Sequence, residues 1–142
     1  MKIATLIARS LLGLMFLIFG LNGFLHFIPQ PPPPAGPAEQ YLGALSASHF
    51  MVPVFLLQLI GGVLLLANRF VPIALVLLGP IIVNILLYHA LMAPAGLPPG
   101  LLALALWGFV FYGVRSAFAG VFAMQVNSPE AAREGSLNAD RH

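Results

Sequence analysis

The stretch VPIALVLLGPIIVNILLYHALM, residues 71–92, contains no Asp, Glu, Lys or Arg. A helix needs about 20 mostly apolar residues to cross the hydrocarbon core of a bilayer, and this stretch has that length. Pro72 falls in what would be its first turn, where a missing N–H is harmless. Pro80 lies inside it and is expected to kink the helix. Pro94, Gly96, Pro98, Pro99 and Gly100 close this span and open the next, because proline cannot continue the hydrogen-bond ladder. Outward from here the pattern recurs. One apolar run covers about residues 3–28, a second covers 51–67, and a further one starts near Leu101 and ends between Ala117 and Met124, near residue 120. Asn68-Arg69 forms a tight polar turn between the second and third runs. Pro29 with Pro31 to Pro34 separates the first run from the outer loop.

The remaining composition agrees. Of 142 residues, 60% are hydrophobic and 7% charged, against about 25% charged in a soluble domain. A chain this poor in charge cannot cover a soluble globule, so a water-soluble enzyme is excluded. There is no cysteine, which removes disulfide scaffolds, thiolate metal sites and thiol–disulfide catalysis. The net charge of +2 is dispersed, and without a basic stripe no nucleic-acid partner is expected. The expected fold is all-α: an integral membrane four-helix bundle over residues 1–124, with a short interfacial helix at about 38–50 in the first outer loop. A polar cytoplasmic tail, 125–142, is expected to be disordered or loosely helical. Lys2 followed by an apolar run imitates a secretory signal, but the run is too long and no small-x-small cleavage site succeeds it, so it is read as the retained first span.

The basic residues orient the spans. Lys2 and Arg9 begin the first, Arg69 lies in the second turn, and Arg115, Arg133 and Arg141 lie at or beyond the end of the fourth. The loops 29–50 and 93–100 hold neither Lys nor Arg. All six basic residues therefore fall on one side, the positive-inside pattern of a protein with both termini cytoplasmic, expected in a bacterial inner membrane. Arg9 and Arg115 sit near the inner boundary, where long basic side chains snorkel to the headgroups.

Polar groups inside a bilayer are expensive, so each needs an account. At about 1.5 Å of rise per residue, Asn22 lies about 9 Å below the outer end of its span, and Gln58 and Asn84 about 10 Å below theirs. Three amides from three helices thus share one layer in the outer half. His26 and His89 lie nearer the outer surface. Glu39, Tyr41 and His49 belong to the loop above, as an outer lid. Asn22 and His26 share a helix face, as do Asn84 and Tyr88, whereas His89 points away from Asn84. Gln58 heads a stripe with Gly61, Gly62 and Leu65, whose glycines permit close helix approach.

These residues support two readings. In one, Asn22, His26, Gln58, Asn84, Tyr88 and His89 line a cavity in the outer half that holds the head of a small lipophilic molecule. A quinone suits such donors: two carbonyl acceptors, a flat ring and a tail left in the lipid. In the other, the amides only fasten helices to one another, and the protein is an assembly or scaffold subunit. A small transporter fits less well, because the inner half lacks a polar path. Haem held by His26 and His89 fits poorly, since both lie near the surface and one faces away. No spacing among His26, His49, His89 and Glu39 supports a metal site. No catalytic constellation is visible.

The segments RSLLGLMFLIFGLNGFLHFIP (9–29) and QLIGGVLLLANRFVPIALVLLGPIIVNILLYHALMAPAGLP (58–98), with the four-span layout, resemble the DoxX family of small bacterial and archaeal membrane proteins. The resemblance covers about residues 5–120. It implies a four-helix membrane bundle in a redox setting, since named members belong to a terminal quinol oxidase and a thiosulfate:quinone oxidoreductase. It also implies redox-protein partners; homo-oligomerisation is left open. Many members carry Glu where this chain has Gln58, and an amide cannot carry a proton at neutral pH. The cysteines of related thiol-redox bundles are absent, so that chemistry does not transfer.

Overall fold

A computed structural model describes residues 2–125 and, in the tail, residues 133, 136, 137 and 139. The expected tail, 125–142, therefore lies almost wholly outside the described residues. Every regular element among the described residues is helical: α1 (Lys2–Leu25), α2 (Pro37–Ala47), α3 (Met51–Ala67), α4 (Val71–Leu91) and α5 (Leu97–Val114), with short 3-10 turns at Pro94–Gly96 and Arg115–Phe118. Lys2–Leu25, Val71–Leu91 and Pro94–Phe118 are each long and apolar enough to cross a membrane. The 17 residues of α3 reach only about 26 Å at about 1.5 Å per residue. With α2, across an 84° bend, α3 makes a fourth candidate span.

The helix ends have local causes. α1 stops at Leu25, three residues short of the expected end, because His26 takes a left-handed backbone conformation (φ 52°). The Asn22 carbonyl accepts the His26 N–H at 2.9 Å, and the Asn22 side-chain oxygen accepts the Ile28 N–H at 2.7 Å. One asparagine thus satisfies two donors as the chain leaves the helix. Gly36, at φ 99°, turns the chain out of the proline run and into α2, which begins at Pro37. α3 ends at Asn68 in the left-handed cap conformation, a role asparagine tolerates. α5 starts at Leu97, earlier than expected near Leu101, because Pro98 and Pro99 fall in its first turn and need no N–H there.

α1 packs against α3 and α5, and α4 packs against the same two, so the four long helices close a ring. Each contact is antiparallel. Gly13 faces Leu65 and Gly23 faces Phe55 across α1 and α3; Thr5 meets Gly113 across α1 and α5. Leu12, Leu65, Leu75, Leu78, Ile82 and Val110 are fully buried in the middle of the ring. The helix continues through Pro80, and one turn below it the Trp107 indole N–H donates to the Leu75 carbonyl at 2.9 Å, tying α5 to α4. The outward faces are apolar too: Leu11, Leu14, Ile60, Val63, Val76, Val83, Leu102 and Phe109 are exposed. Such a surface is suited to lipid rather than water.

Arg9 departs from expectation. It does not snorkel: it is 8% exposed, and its guanidinium donates to the Leu65 carbonyl near the end of α3. Arg115 stays exposed, donating to the Tyr112 carbonyl at 2.7 Å and lying 4.1 Å over the Tyr112 ring.

Candidate functional site

Between α1, α3 and α5, at the end of the ring covered by α2, lies a cavity of about 440 Å³. This is within the size range of small-molecule sites, roughly 300–1,000 Å³. Its buried floor comprises Phe16, Asn22, Gln58, Gly100 and Ala103. Phe19, His26, Gln30, Ser46 and Pro99 form an exposed rim. Ala103, one turn from Gly100 on α5, keeps that wall shallow, whereas Gly100 lets α5 approach Leu86 and Ile85 of α4 closely.

The polar groups differ in how they are engaged. Asn22 is 8% exposed and has committed its oxygen to Ile28, leaving its NH₂ group for the cavity. Gln58 is 6% exposed, and its side chain makes no hydrogen bond with the described residues. No buried polar side-chain atom among them is both sealed from solvent and unpartnered. The Gln58 amide is therefore open to the cavity rather than walled into the packing. It offers both a donor and an acceptor. An unpaired buried amide is costly, and a ligand or water in the cavity would relieve that cost. His26 stands at the rim, placed there by the left-handed turn that ends α1.

The other expected residues gather elsewhere. Asn84 is exposed on α4 and accepts a hydrogen bond from the Tyr41 hydroxyl at 3.3 Å. The Tyr41 and Tyr88 rings stack with centroids 5.7 Å apart, so α2 is held onto α4 by one polar and one aromatic contact. The Tyr88 ring meets His89 edge-on at 5.0 Å. Nδ1 of His89 lies 3.0 Å from the Ala93 carbonyl, which can only accept, so Nδ1 carries the proton. The His89 ring also packs against Gly96; it braces the turn after α4. Thus Asn22, His26 and Gln58 line the cavity, whereas Asn84, Tyr88 and His89 form a latch-and-brace cluster outside it. Of the lid residues, Tyr41 closes the latch, Glu39 is exposed in the first turn of α2, and His49 sits at the bend between α2 and α3 with φ 58°. Among the described residues no group of His, Asp or Glu gathers as a metal site.

Sequence reasoning missed Gln30 and Ser46 on the rim and the apolar lining of Met15, Phe19, Phe55 and Ile85. The small residues Gly100 and Ala103, spaced for one helix face, were the available signal on α5. No known family, curated protein or solved structure matches the chain.

Proposed function

We propose that this chain is a DoxX-like integral membrane four-helix bundle of a bacterial inner membrane. Both termini are cytoplasmic, and α2 lies as an interfacial helix over the outer end. The cavity holds the head of a small, lipophilic, quinone-like molecule, and the protein serves as an accessory subunit of a membrane redox system. The observation that carries this reading is Gln58, a buried side-chain amide without a partner among the described residues, open to a cavity lined mainly by apolar surface. Its donor and acceptor can both engage a carbonyl- or hydroxyl-bearing ring, with the Asn22 NH₂ beside it. Gln58 holds the ligand and transfers no proton. The packed apolar residues below the cavity argue against a continuous polar pore and hence against transport.

The scaffold reading draws on a different observation: Asn22 and Asn84 both have intramolecular partners. The two readings separate on occupancy. Protein purified from native membranes is extracted with organic solvent and the extract analysed by mass spectrometry, beside Gln58→Leu and Asn84→Ala. The expected result is one defined lipophile near equimolar with protein, lost with Gln58→Leu and kept with Asn84→Ala. Bulk phospholipid alone in all three samples would leave the scaffold reading in place.

A further inference from the structure

The seam between α1 and α5 carries a shallow, outward-open apolar groove further along the same helices than the first cavity. Its walls are apolar: Ala4, Ala8 and Leu11 on α1, and Ala105, Leu106 and Phe109 on α5. Leu11 is one turn from Met15, and Leu106 one turn from Ala103; Met15 and Ala103 both line the upper cavity. Because α1 and α5 run antiparallel, these one-turn steps go the same way along the seam, and the groove adjoins the cavity. Alanines at positions 4, 8 and 105 create the depression, and the Thr5–Gly113 contact lies at its far end. From Asn22 to Ala4 the track runs about 27 Å at about 1.5 Å per residue, close to the roughly 30 Å thickness of a bilayer's hydrocarbon core.

We propose that this seam holds the hydrocarbon tail of the molecule whose head occupies the cavity. The ligand is then a single-tailed amphiphile with a neutral head, admitted from the outer leaflet between Phe19 and Pro99. The inference rests on the cavity reading above and specifies its ligand. Three features select the class. The seam offers no polar group, so its occupant is hydrocarbon. The cavity's polar lining consists of Asn22, His26, Gln30, Ser46 and Gln58, with no Lys or Arg to meet a phosphate. The α1/α5 seam has room for one chain, whereas a phospholipid has two to place; another apolar hollow, between α4 and α5, lies on the other flank of α5 from Phe19. Phe19 and Pro99 are exposed on the α1/α5 side of the rim, where the upper cavity meets the seam.

The test uses the full chain in detergent, titrated with ubiquinone analogues bearing no tail, a decyl tail and an isoprenoid tail. Ala105→Phe fills the seam without touching the cavity; Gln58→Leu removes the open amide. Tail partition into detergent is common to all three proteins, so the comparison is read between them. The wild-type chain should bind tailed analogues about tenfold tighter than the tail-less one. Ala105→Phe should keep wild-type affinity for the tail-less analogue and lose that preference. Gln58→Leu should weaken every analogue. An equal tail preference in wild type and Ala105→Phe would overturn the seam proposal and leave the cavity reading standing. Unchanged binding with a loss of self-association in Ala105→Phe would overturn it too, giving the seam to a second copy of the chain. Failure of wild type to bind any analogue would overturn both.

Discussion

Arg9 and Gln58 are both more than nine-tenths buried, and they solve the problem of buried polarity differently. Arg9 borrows a backbone acceptor. Leu65 is two residues before the end of α3, where its carbonyl takes only the shared Asn68 cap N–H, at 3.3 Å, and the helix dipole is negative. A cation placed there is stabilised without a carboxylate, and the described carboxylate, Glu39, belongs to α2 at the opposite end of the molecule. The long apolar stem of Arg9 packs along the helices on its way. Arg9→Ala should therefore lose both a charge-assisted bond and packing, lowering stability by about 2 kcal/mol. Arg9→Met should recover the packing share. Thermal unfolding in detergent, followed by circular dichroism, reads the order wild type above Met above Ala; an Ala variant as stable as wild type would deny Arg9 this anchoring role. The Gln58 side chain has no such partner among the described residues, which is why it marks the cavity.

Helix pairing turns on small residues. A Cβ added at Gly62 would lie 2.8 Å from the Gly13 carbonyl oxygen and 2.8 Å from the Leu17 nitrogen. Both are backbone atoms, so neither can swing aside. Gly62→Ala must separate α1 from α3 or distort one of them, and the expected loss is about 2 kcal/mol. Gly108, on α5, has nothing within 4 Å of its Cβ position. Gly108→Ala should be neutral or stabilising, by up to about 1 kcal/mol from helix propensity. A common unfolding assay settles the contrast: equal effects at the two positions would contradict the close α1/α3 approach. α2 is the weakly held element. It contacts α4 through Tyr41 and covers the cavity with Leu42 and Ser46, without an extensive interface of its own with any long helix.

Across the molecule, charge and polarity separate by end. Antiparallel packing brings Lys2, Arg69 and Arg115 to one end, and the cavity, α2 and the proline-rich loop to the other. The proposed topology makes the basic end cytoplasmic. The absence of cysteine makes this directly testable by single-site labelling. In spheroplasts, Glu39→Cys should react with a membrane-impermeant maleimide, and Arg69→Cys should react only after lysis. The reverse pattern would invert the protein.

The helical segments, most of their ends and the clustering of basic residues at one end were legible from composition, prolines and the positions of Lys and Arg. Lipid forces backbone groups to bond within the segment, so a long apolar run has one structural outcome. Which face of each helix turns inward was not legible. The helices are apolar on both faces, one toward the core and one toward lipid, so periodicity carries little information there. Asn22, Gln58 and Asn84 looked equivalent by depth. Only the rotation of each helix about its axis, set by contacts such as Gly13 with Gly62 and Trp107 with Leu75, sent two amides into the cavity and the third onto the outer flank. The same packing turned Arg9 inward, because the Leu65 carbonyl at the end of α3, otherwise held only by the Asn68 N–H at 3.3 Å, lay within its reach.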